Sequence, residues 1–141
     1  MKKKSTRRKP VTQKHGTGCA VACVAFVLGR TYDQALKCFA TPSHAWGRGY
    51  FCREVADALQ SVGLRARWHR LRRTRERRNF RPGTIVYVGV SRRYPLGHYL
   101  VRTKQGDWMN PWVNFPVIAP AKSAFVRRLP GIACYRILPT D

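Results

Sequence analysis

The pattern of apolar and polar positions divides the chain into a helical first half and a β-rich second half. Residues 19–28, Cys-Ala-Val-Ala-Cys-Val-Ala-Phe-Val-Leu, are apolar on every face and stop at Gly29. Such a run predicts a helix buried all round and ended by glycine. Thr31 stands three positions before Gln34, with Tyr32, Ala35, Leu36 and Phe39 on one side, the capping-box arrangement of a second, short helix. Residues 41–50 contain Pro42, Gly47 and Gly49 and read as a loop. Over 51–62, Val55, Ala58, Leu59 and Val62 recur at helical spacing before Gly63, which predicts a third helix.

After Gly63 the period changes from helix to strand. Leu64, Ala66 and Trp68 alternate with Arg65, Arg67 and His69, the signature of a half-exposed strand. Further strands are expected at 84–90, 98–103, near Trp108, at 115–118 and at 133–138, with a hairpin turn at Gln105-Gly106. Helices followed by strands predict an α+β domain, N-terminal helices packed on a C-terminal antiparallel β-sheet. Residues 1–12 carry six Lys and Arg and no apolar period, so they are read as a flexible basic tail, and 13–141 as a single domain.

Composition changes this picture in two respects. A hydrophobic fraction of 44% with four Trp, six Tyr and six Phe excludes a disordered chain and suits one core in 141 residues. The balance of 28 Lys and Arg against 6 Asp and Glu, a net charge of +22, surrounds the molecule with a field that attracts nucleic acid, anionic surfaces and acidic proteins. Nine Arg fall between Arg65 and Arg81, the densest cationic run outside the tail. The five cysteines lack zinc-ligand spacing, and their odd number does not suit a disulfide framework. The basic N-terminus has no apolar run behind it, and the longest apolar stretch, 20–28, falls far short of the roughly 20 residues of a bilayer span. The resulting expectation is a cytoplasmic, reducing setting, free thiols, and no cofactor or metal.

The candidate chemistry centres on Cys19. It opens the buried helix, where the peptide dipoles favour an anion, and it follows the Gly16-Thr17-Gly18 stretch. Acyl transfer needs donors aimed at the oxyanion, and the Gln13 amide lies six residues before the Cys19 amide. Among the four histidines, His98 alone starts an internal strand, in Gly97-His98-Tyr99-Leu100-Val101; His44 lies in a loop and His69 on an arginine-rich strand face. An imidazole base needs a partner on its second nitrogen. Asn110, twelve residues on and on the adjacent strand, is the first candidate, and Asp107 is the second.

Gln13-x5-Cys19 with its following Ala-Val-Ala-Cys23, the Gly97-His98-Tyr99-Leu100-Val101 strand, and Asn110-Pro111 together resemble the bacteriocin-processing, C39-type branch of papain-like cysteine peptidases. The likeness covers residues 11 to about 115, including the Gly-rich loop, the helix ending near Leu64, and Pro82-Gly-Thr-Ile-Val-Tyr before the histidine strand. The resemblance implies a papain-like fold with Cys19 as nucleophile, His98 as base and then acid, Asn110 as orienter and Gln13 as oxyanion donor. It gives Cys23 a structural place. Ala20 stands where that family usually has Gly, and Asn110 where it more often has Asp. The implied activity is cleavage of, or transfer at, a peptide or amide bond in a peptide or protein substrate, with acidic substrates favoured by the charge. The competing expectation is an inactive peptidase-fold module that binds nucleic acid or an acidic partner through its basic surface.

Overall fold

A computed structural model describes residues 7–140. The apolar run forms helix α1 (Cys19–Leu28), closed by Gly29 in the left-handed region, where glycine carries no Cβ penalty. Helix α2 (Tyr32–Leu36) begins with the expected capping box, the Thr31 side chain accepting from the Gln34 amide while Gln34 Oε1 accepts from the Thr31 amide. A 3-10 turn over Pro42–Trp46 occupies the predicted loop, and α3 (Cys52–Gln60) follows it.

The strands are β1 (Arg65–Arg70), β2 (Ile85–Val88), β3 (His98–Arg102), β4 (Trp108–Asn110), β5 (Ala124–Val126) and β6 (Ala133–Thr140). They make one sheet in the order β1-β6-β2-β3-β4-β5, with every pair antiparallel. Side chains alternate between the faces of the sheet, and each face has its own apolar cluster. Ile85, Val101, Met109 and Ile137 meet Val21, Val24 and Leu59 of the helices in the main core. Val86, Val88, Leu100 and Trp108 form a smaller cluster on the other face, beneath Leu71, Phe80 and Leu129. Helix α1 packs on β3, and Cys19 at the start of the helix and His98 at the start of the strand line one cleft.

Two expectations are corrected here. Residues 115–118 form no strand; the chain turns over 113–116 and is irregular at 117–118: Pro116 has no amide to donate to a ladder, and Val117 N–H closes back on the Asn114 carbonyl. The fifth strand lies further on, at Ala124–Val126, with Phe125 opposite Met109. The tail prediction over 1–12 falls partly outside the described residues, and residues 7–12 are docked. Arg7 pairs with Asp107 and stacks over Phe125, Arg8 donates to the Phe26 and Val27 carbonyls at the C-terminus of α1, and Thr12 bonds Ser123. Free carbonyls and negative dipole at a helix end make Arg8 a favourable cap. Among the described residues, no helix is long and apolar enough to cross a membrane.

Candidate active site

A cleft of about 720 Å³ opens where α1 meets the sheet, and its lining includes Cys19, Cys52, Trp68, Tyr87, His98 and Trp112. Cys19 is the first residue of α1, behind Gly18, which carries no capping side chain. The close approach of Tyr32 explains glycine there, because a Cβ at Gly18 would collide with the Tyr32 hydroxyl. His98 is the first residue of β3. Gly97 before it has φ +77°, and a Cβ there would run into the Tyr87 ring and hydroxyl. The Tyr87 hydroxyl donates to the Leu96 carbonyl, fixing the approach of the chain to His98.

His98 and Asn110, both buried, are joined by a 2.7 Å hydrogen bond from Nε2 to Oδ1. The direction of that bond follows from its neighbours. Asn110 Oδ1 also accepts from the Trp112 amide at 3.0 Å, so it is the carbonyl end of the side chain. Asn110 Nδ2 donates to the Tyr94 hydroxyl at 3.2 Å, and that hydroxyl donates onward to the Trp112 carbonyl at 2.7 Å. Every donor in this ring is assigned, which places the imidazole proton on Nε2 and leaves the lone pair on Nδ1. The Tyr94 ring covers one face of His98.

Burial dominates the electrostatics. It pushes the Cys19 thiol up to about 11, against backbone hydrogen bonds from Tyr99, Ala20 and Cys19 itself that favour the thiolate. It pushes His98 down to about 4, against the Asn110 bond and with the help of the Arg93 charge. Near neutral pH the resting pair is thus thiol and neutral imidazole.

Asp107, the second candidate for orienting the base, lies in the β3–β4 turn, beyond the far end of the strand that His98 begins. Its carboxylate is engaged by Arg7 and Thr103, and Asn110 alone of the two bonds His98. Gln13 is buried and does not line the cleft. Its Nε2 donates to the His15 carbonyl at 2.9 Å and, at 3.4 Å, to that of Gly16, so the amide braces the loop that leads into Cys19. Gln13 N–H reaches the Pro111 carbonyl, one residue past Asn110. Cys23 is fully buried in the main core, and all five cysteines are free thiols. Tyr94 and Trp112 are the site residues that sequence reasoning missed. Trp112 had a local signal, since an Asn side chain commonly accepts from the amide two residues on, whereas Tyr94 comes from a loop with no periodic pattern.

The fold is similar to the crystal structure of the peptidase domain of Streptococcus ComA, a bi-functional ABC transporter involved in a quorum sensing pathway. The TM-score is 0.57 at 17% identity, over 94% of this chain and 98% of that one. This is the fold of a peptidase domain. No family model matches the chain, and no curated protein matches it. The α+β expectation, helices packed on an antiparallel sheet, agrees with the observed fold and with this neighbour.

Proposed function

We propose that the chain is a cysteine peptidase or amidase that cleaves, or transfers at, a peptide or amide bond through Cys19, His98, Asn110 and Gln13. The observation that carries the reading is the 2.7 Å His98–Asn110 bond, whose surroundings leave Nδ1 with a lone pair while His98 and Cys19 line one cleft. Because burial keeps both groups neutral, the thiol proton passes to His98 Nδ1 as the sulfur attacks the carbonyl carbon. Charge develops only at that moment. The oxyanion is held by the Cys19 amide at the helix N-terminus and by the Gln13 amide once it turns from the loop carbonyls. His98 then returns the proton to the departing amine as the C–N bond breaks. Water attacks the thioester with His98 as base, releasing the acid and restoring the thiol; an amine in place of water gives transfer.

The cleft walls supplied by Tyr50, Phe51, Trp68 and Tyr135 suit a peptide with apolar side chains, and two arginines also line the cleft, Arg53 and the Glu54-paired Arg48. The test is labelling by a peptidyl acyloxymethyl ketone, which needs nucleophile and base in register, alongside hydrolysis of a peptide library. The expected outcome is selective labelling of Cys19 over Cys134 and product formation lost in Cys19→Ala and His98→Ala. Equal labelling of the two cysteines, with no Cys19-dependent product, would overturn the reading.

A further inference from the structure

The fold gathers most of the densest cationic run, Arg70 excepted, on the face of the sheet that bears the smaller apolar cluster. By register His69 lies beside Arg136, and Arg136 beside Val86, so Arg67 and His69 project to the same side as that cluster. The cleft walls Trp68, Tyr87 and Tyr135 occupy the alternate positions and face the other way. The segment after β1 folds back over the cluster, held by Leu71 and Phe80, and leaves Arg72, Arg73, Arg75 and Arg78 exposed. Leu129 packs on the same cluster, and its neighbours in the chain, Arg127 and Arg128, are exposed.

Three details say what this surface fits. Among the described residues the carboxylate on this surface is Glu76, whose Oε1 is occupied by the backbone amides of Arg72 and Arg73, so it shapes the loop and forms no close ion pair with the guanidinium groups around it. The cations from Arg65 to Arg81 are arginine throughout, with no lysine, and the planar guanidinium fork matches phosphate oxygens two at a time. The large aromatic rings on this face are packed together: Trp108 is buried, the Arg102 guanidinium lies 5.0 Å from its ring, and half-buried Phe80 packs edge-on against it at 5.4 Å, which leaves His69 as the exposed ring. A surface rich in phosphate ligands and poor in open rings offers backbone contact and no base stacking.

We propose that this arginine face binds the phosphate backbone of duplex nucleic acid without regard to sequence, leaving the cleft on the other side open. The inference does not depend on the peptidase reading. Fluorescence anisotropy with a short mixed-sequence DNA duplex, titrated between about 50 and 200 mM salt, tests it. The loop triple Arg72→Gln, Arg75→Gln and Arg78→Gln is compared with a control triple of equal charge change, Arg30→Gln, Lys37→Gln and Lys104→Gln, all exposed and outside that run. At about 0.9 per lost contact, the loop triple is expected to flatten the salt slope by 2 to 3 and to weaken binding about tenfold or more, with the control triple near wild type. Cys19→Ala binds as wild type does, so a failed peptidase assay leaves this result standing. Equal losses in the two triples would mean diffuse charge attraction and overturn the proposal. Equal or tighter binding of single-stranded DNA or of polyglutamate also overturns it. Circular dichroism checks that the triple is folded; if it is not, Arg75→Gln alone is expected to lower the slope by about 0.9.

Discussion

Tyr94 lies flat against His98, with ring centroids 4.0 Å apart and planes within 2° of parallel. The same residue closes the hydrogen-bond ring through its hydroxyl, so it holds the plane of the imidazole by stacking and the Asn110 amide by a hydrogen bond. The two roles can be separated. Tyr94→Phe keeps the stack but strands Asn110 Nδ2 and the Trp112 carbonyl, at a cost of about 1–3 kcal/mol in urea unfolding. Hydrolysis is expected to survive in that variant. Tyr94→Ala also opens a cavity beside His98, and on the proposed peptidase reading product formation is expected to fall about tenfold or more as His98 loses its pose. Equal activity in the two variants would show that the stack does not position the ring.

Cys19 labelling by a small alkylating reagent provides a pH test. With the thiol held up to about 11 and His98 down to about 4, the free thiolate is scarce at neutral pH. The rate for iodoacetamide, which uses no oxyanion donors, is expected to climb steadily from pH 6 to 10. A rate plateau between pH 5 and 8 would mean a preformed thiolate–imidazolium pair, contrary to the neutral resting state.

Stability should depend on acid through His98. Its folded value of about 4 lies below the ordinary 6.5, so between those values the unfolded chain binds the proton and the folded chain does not. Stability from the neutral ring is complete above about 6.5 and declines as pH falls toward 4, by about 2 kcal/mol between pH 7 and pH 5. Urea midpoints at the two pH values measure it. In His98→Gln that part of the pH dependence should disappear, and its persistence would assign the loss to other groups.

Gly97 and Gly106 make a matched pair for backbone strain. Both have positive φ, +77° and +85°, yet a Cβ at Gly106 meets nothing within 4 Å while one at Gly97 strikes Tyr87. Gly106→Ala is expected to cost about 1 kcal/mol, the conformational penalty alone. Gly97→Ala should cost about 2 kcal/mol or more and reduce hydrolysis as well, because the displaced chain carries His98. Similar unfolding free energies for the two variants would argue against the clash.

What the sequence made legible was whatever depends on neighbours along the chain. The unbroken apolar run of α1, the Thr31–Gln34 box and the change of period at Leu64 are local signals, and each element formed close to its expected place. The β3–β4 hairpin was legible too, and with it the meeting of His98 and Asn110. Relations set by the tertiary fold were hidden. Tyr94 reaches His98 from a loop, Asp107 is claimed by Arg7 a hundred residues away, and Gln13 turns its amide on the carbonyls of its own loop instead of the cleft. Charge in the first twelve positions suggested a tail because the docking partners of Arg7 and Arg8 are a turn, a ring and a helix end that no local pattern reveals.

Among the described residues, strand β1 is one border of the sheet and pairs with β6 alone. A border strand offers unpaired amides and carbonyls to any other strand, the usual route to runaway aggregation. Here Arg65, Arg67 and Arg70 line that border, so two copies approaching edge to edge would bring like charges opposite one another along the length of the strand. Like charges along β1 thereby oppose the pairing of two such borders.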